Sequence, residues 1–463
     1  MSVKKDFSLY FIGNVLSKAI AFILVPIYIS SMSQAQYGIV GSMQVFINFC
    51  VILMSLGTER SIYRLYHDYK DYHERKEYLG TVNWYIIFAG MITTIILLLC
   101  HSIIGQLYKS IEFNPYYVLA IGISFLTVFE VAPKIYLQVS GNSKRYLTIS
   151  IVQMITTAVC VLYFTVYCHK EAVGMLSGML ISLIVTLPYF LWIHFKEFSP
   201  KFRFKYLQPT LKYCLPLLPS VISAWFINMS SQIFIEHNFS TSEVAIYALS
   251  LKVVALVTII SSALMTAYNP TFYKLANSEN QFEAKSKLYS LQNKIILILI
   301  VCTGSLGVFA RDIIDLFFPS DYSVAIYIIP ILICGTLFAQ LTGFLNLAFY
   351  QDKKTMQIMW INIMSAVLTV LLNSFLIPKY SVYGAAVTYL CSTLSFFLLE
   401  YFISKKFYFI PYKWNRIIIA MAVLFILYMI NTLLLPCSVF FSSIKLIILG
   451  MICIAVFFKY KRI

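Results

Sequence analysis

The chain has 463 residues, of which 60% are hydrophobic and only 12% charged. About a quarter of a soluble domain is charged, so this length is not a set of water-soluble domains. The net charge of +16 is scattered over short connections rather than gathered on one face, which argues against a nucleic-acid partner.

A helix needs about 20 apolar residues to cross roughly 30 Å of hydrocarbon. In chain order, stretches of that kind are predicted at 7–32, 38–57, 79–104, 117–138, 146–167, 172–195, 211–235, 244–270, 291–310, 324–350, 355–377, 384–404, 414–434 and 440–459. The longest polar connection, Thr58 to Tyr78, is about twenty residues. Continuous runs, not ten-residue alternating segments, exclude a spanning β-barrel. The expected fold is therefore an all-α polytopic membrane protein with 14 transmembrane helices. The first span is too long for a signal-peptide core and lacks a small-residue cleavage site, so it is expected to stay. The ten cysteines fall mostly inside apolar runs without CxxC spacing. They read as apolar fillers rather than disulfides or metal ligands.

Lysine and arginine set the orientation. All but seven of the 35 lie on alternate loops and the span ends beside them. The opposite loops hold Lys109, Lys170, Arg311 and Lys379, while Lys18, Lys252 and Lys445 fall within spans. The basic side is expected to be cytoplasmic, with both termini there. Trp84, Trp192 and Trp414 are expected at the same ends as interfacial anchors.

The chain also repeats itself. His101–Ser110 (HSIIGQLYKS) parallels Arg311–Ser320 (RDIIDLFFPS) at an offset of 210, as Val173-Gly174 parallels Tyr383-Gly384. Lys144-Arg145 meets Lys353-Lys354 at 209, and Leu65-Tyr66-His67 meets Phe272-Tyr273-Lys274 at 207. Six spans separate the copies, so both face the same way. That predicts two parallel six-helix lobes related by a pseudo-two-fold axis along the membrane normal, with a central cavity and alternating access. The expected divisions are 1–200, 201–410 and an additional helix pair at 411–463.

Ionisable residues inside spans are costly and are therefore candidates for function. Lys18 lies about eleven residues into the first span, roughly 17 Å deep, with Asn14 one turn before it on the same face. It faces a cavity, or else snorkels or pairs with a carboxylate. Lys252, in the eighth span, has Val45 as its counterpart at offset 207, so the repeat does not require it. It marks a site or a structural ion pair. Asn228, Ser230 and Ser231 in the seventh span either join it or form interhelical hydrogen bonds. Glu130 in the fourth span has Lys134 at i+4, so it is a structural pair or, unpaired, a proton or cation exchanger. Pro26 in the first span and Pro216 and Pro219 in the seventh break matched helices, either as gates or as static kinks. Gly174 and Gly178 read as close helix packing. No P-loop, HExxH or CxxC pattern is present, and no cofactor or metal is expected.

The opening span Tyr10-Phe-Ile-Gly-Asn-Val-Leu-Ser-Lys18, Tyr37-Gly38-Ile-Val-Gly41, Gly141-Asn-Ser-Lys144-Arg145, Ile246-Tyr247-Ala248-Leu-Ser250 and Tyr383-Gly384-Ala-Ala386 carry a family likeness. With the 6+6+2 plan, the chain resembles the O-antigen-type (Wzx) flippases, in the polysaccharide branch of the multidrug/oligosaccharidyl-lipid/polysaccharide (MOP) superfamily. The resemblance covers the whole chain through diffuse motifs. It implies a transporter that is not an enzyme and that turns undecaprenyl-diphosphate-linked oligosaccharide outward across the bilayer. It further implies H+ or Na+ coupling, with Glu130 the candidate, and delivery to a polysaccharide polymerase and chain-length regulator. Lys18, Lys252, Asn14 and Asn228 would meet the diphosphate and sugars, and Arg60 and Arg64 would capture the headgroup. A lipid II-type flippase, a multidrug antiporter and a membrane-embedded glycan polymerase or transferase are the competing readings.

Overall fold

The computed structural model describes residues 19–415 and, beyond them, residues 417–419, 421, 422 and 425. The described residues contain helices and connections and no strand. A backbone polar group in hydrocarbon has no water to bind, and a helix satisfies its own. Ten described helices are long and apolar enough to cross a membrane. They carry predicted spans two to twelve. The first span is described from Ala19, and most of the last two lies outside the described residues.

Two compact units divide the chain: Met1–Ala248 with Val370–Ser381, and Leu249–Thr369 with Val382–Ile463. The first contains α1 (Val25–Ser30), α2 (Gln34–Ser55), α3 (Glu59–Leu65), α4 (Tyr72–Leu99), α5 (His101–Leu107), α6 (Val118–Val139), α7 (Ser143–Leu162), α8 (Glu171–Glu197), α9 (Phe204–Cys214) and α10 (Leu218–Asn238). Then come α11 (Thr241–Ala276), α12 (Gln281–Phe317), α13 (Ala325–Gln351) and α14 (Thr355–Ser404). Packing thus groups α9 and α10, which open the second sequence repeat, with the first unit.

Local chemistry sets the helix ends. Ser33 caps α2 by accepting from the Gln36 N–H, and its own N–H donates to Glu171 at 3.0 Å. Leu56 and Gly57, with φ of 47° and 69°, turn the chain out of α2 into α3. Asp71 caps α4 by accepting from the N–H groups of His73 and Glu74 at 2.8 and 3.1 Å. Those donors, Glu74 first, hold its carboxyl below the usual range.

Prolines break the two helices predicted to be broken. The first helical run is interrupted at Leu24, and Pro26 occupies the first turn of α1. α9 gives way to a 3-10 turn, Leu215–Leu217, before α10 restarts with Pro219 in its first turn. A fixed φ and a missing N–H suit a helix start. In α14, Ser381 alone is non-helical (φ 47°, ψ −128°), at the junction predicted between spans eleven and twelve. Its hydroxyl donates to Glu243 at 3.0 Å.

The glycine pair packs as expected. A β-carbon on Gly178 would lie 2.7 Å from the Val161 backbone, and one on Gly174 would lie 2.7 Å from the Phe164 carbonyl oxygen. Only hydrogen at these positions lets α8 close on α7 and on the Tyr163–Tyr167 turn that follows it. The eight described cysteines are free thiols, and the described residues hold no cluster of metal-ligating groups.

Trp192 stands between Arg145 and Lys196, whose charges lie 5.8 and 4.7 Å from its ring, as an anchor at a basic end would. Trp84 does not mark a helix end. α4 starts at Tyr72, so Trp84 lies twelve residues inside it and stacks on Phe88 at 5.7 Å.

Gly178→Ala is expected to destabilise the protein by about 1–3 kcal/mol through overpacking. Gly105→Ala in α5, where a β-carbon meets nothing within 4 Å, is expected to be neutral or mildly stabilising. Thermal unfolding in detergent, followed by gel filtration, compares them.

Candidate functional site

Near the basic end of the first unit, α3 is pinned before its arginines are placed. Thr58 donates to the Ser55 carbonyl at 2.6 Å, Ser61 to the Thr58 carbonyl at 2.7 Å, and Ser61 meets the buried Tyr78 hydroxyl at 2.9 Å. From this anchored turn Arg60 and Arg64 point outward, and both are exposed. Arg64 binds both carboxylate oxygens of Asp68, at 3.0 and 3.1 Å. An exposed pair of this kind contributes little and opens easily. Arg60 forms no ion pair among the described residues and presents a full positive charge.

Glu130 is paired. The Lys134 ammonium lies 2.9 Å from one carboxylate oxygen, and the Gln153 amide donates to the other at 2.6 Å. Lys134 also lies 5.7 Å from the centre of the Phe190 ring. The pair therefore ties α6 to α7 and α8. Beside it, His194 of α8 faces the Phe129 carbonyl of α6 at 2.8 Å and the Asn83 amide of α4 at 2.6 Å. Donation from the Nε2 hydrogen to the carbonyl leaves Nδ1 to accept from Asn83, which is the neutral tautomer.

In α10, Ser230 and Ser231 make interhelical hydrogen bonds, the second of their two readings. Ser231 donates to the Asn373 Oδ1 at 3.1 Å, and the Asn373 Nδ2 donates to Ser230 at 3.0 Å. Asn373 is completely buried. Asn228 is exposed and turns its amide onto the Ala224 carbonyl at 2.7 Å, leaving its Oδ1 accessible. No hydrogen bond or ion pair joins Arg60, Arg64, Asn228 and Glu130 to one another.

Lys252, in the second unit, is exposed and has no hydrogen bond or ion pair among the described residues. The ion pair of its other reading is not formed among the described residues. It lies eleven residues into α11, about 17 Å along the helix axis. At that depth, contact with lipid would cost at least about 2.5 kcal/mol, so its accessible surface is best satisfied by water. Asn14 and Lys18 lie outside the described residues.

Sequence reasoning passed over Asn373, Gln153 and the Asn83–His194 pair. Asn373 carried a visible signal, a lone amide within the apolar run Leu371-Leu-Asn-Ser-Phe375. Asn83 and His194 fall within predicted spans and become a pair only once α4, α6 and α8 are folded together.

Helices throughout the described residues, broken at matched prolines and ten of them long and apolar enough to span a bilayer, define a multi-pass membrane protein. The chain belongs to the polysaccharide biosynthesis protein family, which it matches over residues 31–327. It is 24% identical over 422 residues to Lsg locus protein 1 of Haemophilus influenzae, covering 88% of this chain and 99% of that protein. Its fold is shared with the lipid II flippase MurJ, at a TM-score of 0.75, 15% identity and 98% coverage of both chains. It is shared also with a multidrug resistance MATE family transporter of the MOP superfamily, at a TM-score of 0.61 and 16% identity over 91% of this chain and 96% of that one. These structural neighbours are flippases and transporters, not enzymes. The polysaccharide family expected from the sequence is the one the family match shows, and the fold is the one shared with these flippases and transporters.

Glu130→Ala is expected to lower stability by about 3 kcal/mol, because it strands the Lys134 ammonium. Lys134→Ala in the same chain is expected to restore part of that loss, giving a coupling energy of about 0.5–3 kcal/mol in a double-mutant cycle of thermal unfolding.

Proposed function

We propose that this protein flips polyprenyl-diphosphate-linked oligosaccharide repeat units from the inner to the outer leaflet of a bacterial inner membrane by alternating access. The observation that carries this reading is Lys252: an accessible ammonium without a partner among the described residues, deep in a helix long and apolar enough to cross a membrane. A diphosphate bearing sugars cannot cross hydrocarbon, whereas its polyprenyl tail can remain there. An ammonium meeting the diphosphate inside the membrane would form charge-assisted hydrogen bonds in place of lost water. Arg60, exposed and unpaired, and Arg64, held only by Asp68, would attract the headgroup at the basic end. Asn228 and, in the first span, Asn14 and Lys18 would add polar contacts to the cargo.

The excess of lysine and arginine on alternate loops supports a cytoplasmic placement of that end, the side from which the cargo would be taken. Membership of the polysaccharide biosynthesis family fits a cargo destined for a polymerase and chain-length regulator. The fold shared with a protein named as a lipid II flippase fits a lipid-diphosphate cargo. Coupling at Glu130 to H+ or Na+ would require the Lys134 pair to open.

In a strain lacking the gene, Lys252→Ala at matched protein level is expected to flip cargo about 10- to 100-fold more slowly, from the loss of about 1.5–3 kcal/mol of charged hydrogen bonding. Lys252→Arg is expected to retain most activity. Surface polysaccharide, stained after complementation, is the measurement. Full staining with Lys252→Ala would remove Lys252 from the cargo path. Rescue of peptidoglycan synthesis in place of surface polysaccharide would point to lipid II instead.

A further inference from the structure

Glu400 is the unexplained charge of the second unit. It is 0% exposed, and both of its carboxyl oxygens are buried without a hydrogen-bond partner. It lies four residues before the end of α14, at the end followed by Lys405 and Lys406. Its helix neighbours Phe397 and Tyr401 belong to a core that includes Tyr268, Leu341 and Phe344. The connection after α14 closes over this core with Ile410, Tyr412 and Trp414.

Four of the donors nearby are already committed, while the Tyr408 hydroxyl is buried without a partner and does not bond Glu400. Tyr412 donates to the Leu341 carbonyl at 3.0 Å, Tyr268 to the Gln292 Oε1 at 3.3 Å, and the Gln292 amide to the Ile410 carbonyl at 3.4 Å. The Trp414 indole N–H donates to the Tyr401 hydroxyl at 3.0 Å. The other titratable side chains of the cluster are Tyr289 and Tyr408. The cations of the same region are turned onto rings: Lys413 over Tyr289 at 4.8 Å and Lys285 over Tyr408 at 4.9 Å. No ion pair to Glu400 exists among the described residues. Burial holds the Tyr412 hydroxyl well above its usual range, so it stays a neutral donor.

An ionised carboxylate sealed in this way costs several kcal/mol. A bound proton removes most of that cost. A sodium ion would need several oxygens turned toward it, and those of Gln292 and Leu341 already accept hydrogen bonds elsewhere. We propose that Glu400 is a proton-binding site whose occupancy is tied to seating of the 408–414 segment on the core of the second unit. With the proton on, the segment is seated. When the segment lifts, water reaches the carboxyl, the O–H bond breaks, and the proton passes to that water at the basic end. Building on the flippase reading, this site supplies the coupling proton of the cycle.

Two measurements on the purified full-length protein test it without any cargo. Infrared spectra titrated with pH are expected to show a buried protonated-carboxyl band that Glu400→Gln lacks. A variant retaining Trp414 as its single tryptophan is expected to change emission with pH, and the change is expected to vanish when Glu400→Gln is added. A missing band, or an unchanged pH response in the Gln variant, overturns the proposal. Where Glu400→Gln does not give a folded peak on gel filtration, Glu400→Asp takes its place. A displaced pH midpoint then supports the site, and an identical one overturns it. In proteoliposomes, flipping by Glu400→Gln is expected to lose its response to a pH gradient. A wild-type protein that shows the band and the emission change but moves no lipid-linked glycan refutes the flippase reading and leaves the proton site supported.

Discussion

Charge is expensive in hydrocarbon, and the placement of each charged group in this chain is a response to that cost. At the bilayer centre a lysine costs at least about 2.5 kcal/mol unless water, a counter-charge or a lost proton compensates it. The protein uses several of these remedies. Glu130 is compensated by Lys134 and Gln153. Arg145 and Lys196 gather on Trp192 where the helices leave the membrane. Lys252 has no such partner and keeps an accessible surface. Glu400 has neither partner nor access. Among the described residues within spanning helices, Lys252 and Glu400 stand out in this way, and the proposed ligand chemistry is set there: an anion at the ammonium, and a proton at the sealed carboxyl.

The neutral polar groups follow the same logic. Asn373 accepts from Ser231 and donates to Ser230, so a buried amide joins α14 to α10. Glu236 is buried yet accepts from the backbone N–H groups of Lys109 and Ser110, at 3.2 and 2.7 Å, and so closes the end of α10 onto the connection after α5. These satisfied groups are structural elements. Identifying them as such leaves the list of functional charges short.

Much of the fold was legible because its signals are one-dimensional. Apolar run length predicts a spanning helix, and proline chemistry predicts where α1 and α10 restart. Gly174 and Gly178 share one helix face, so their contact with α7 could be anticipated. The site was less legible because pairing is three-dimensional. Glu130 and Lys134 lie one turn apart, and their bond could be foreseen, but Gln153 comes from another helix. The open character of Lys252 depends on what fails to pack against it, which no periodicity reports. Glu400 lies near the end of an apolar run, five residues before the basic Lys405-Lys406 pair begins, and nothing in that one-dimensional pattern marks it as buried. Its burial is created by a connection that folds back over it.

Flipping in a defined bilayer tests the central claim most directly. Purified protein in proteoliposomes would be supplied with a fluorescent polyprenyl-diphosphate oligosaccharide, and with a matched lipid carrying the same sugars on a neutral linkage. Accessibility of the sugars to an external lectin would report their transfer between leaflets. The account predicts rapid transfer of the diphosphate cargo, slower transfer by Lys252→Ala, and little movement of the neutral lipid. Equal transfer of both lipids, or no transfer of the diphosphate cargo by a folded protein, would contradict it.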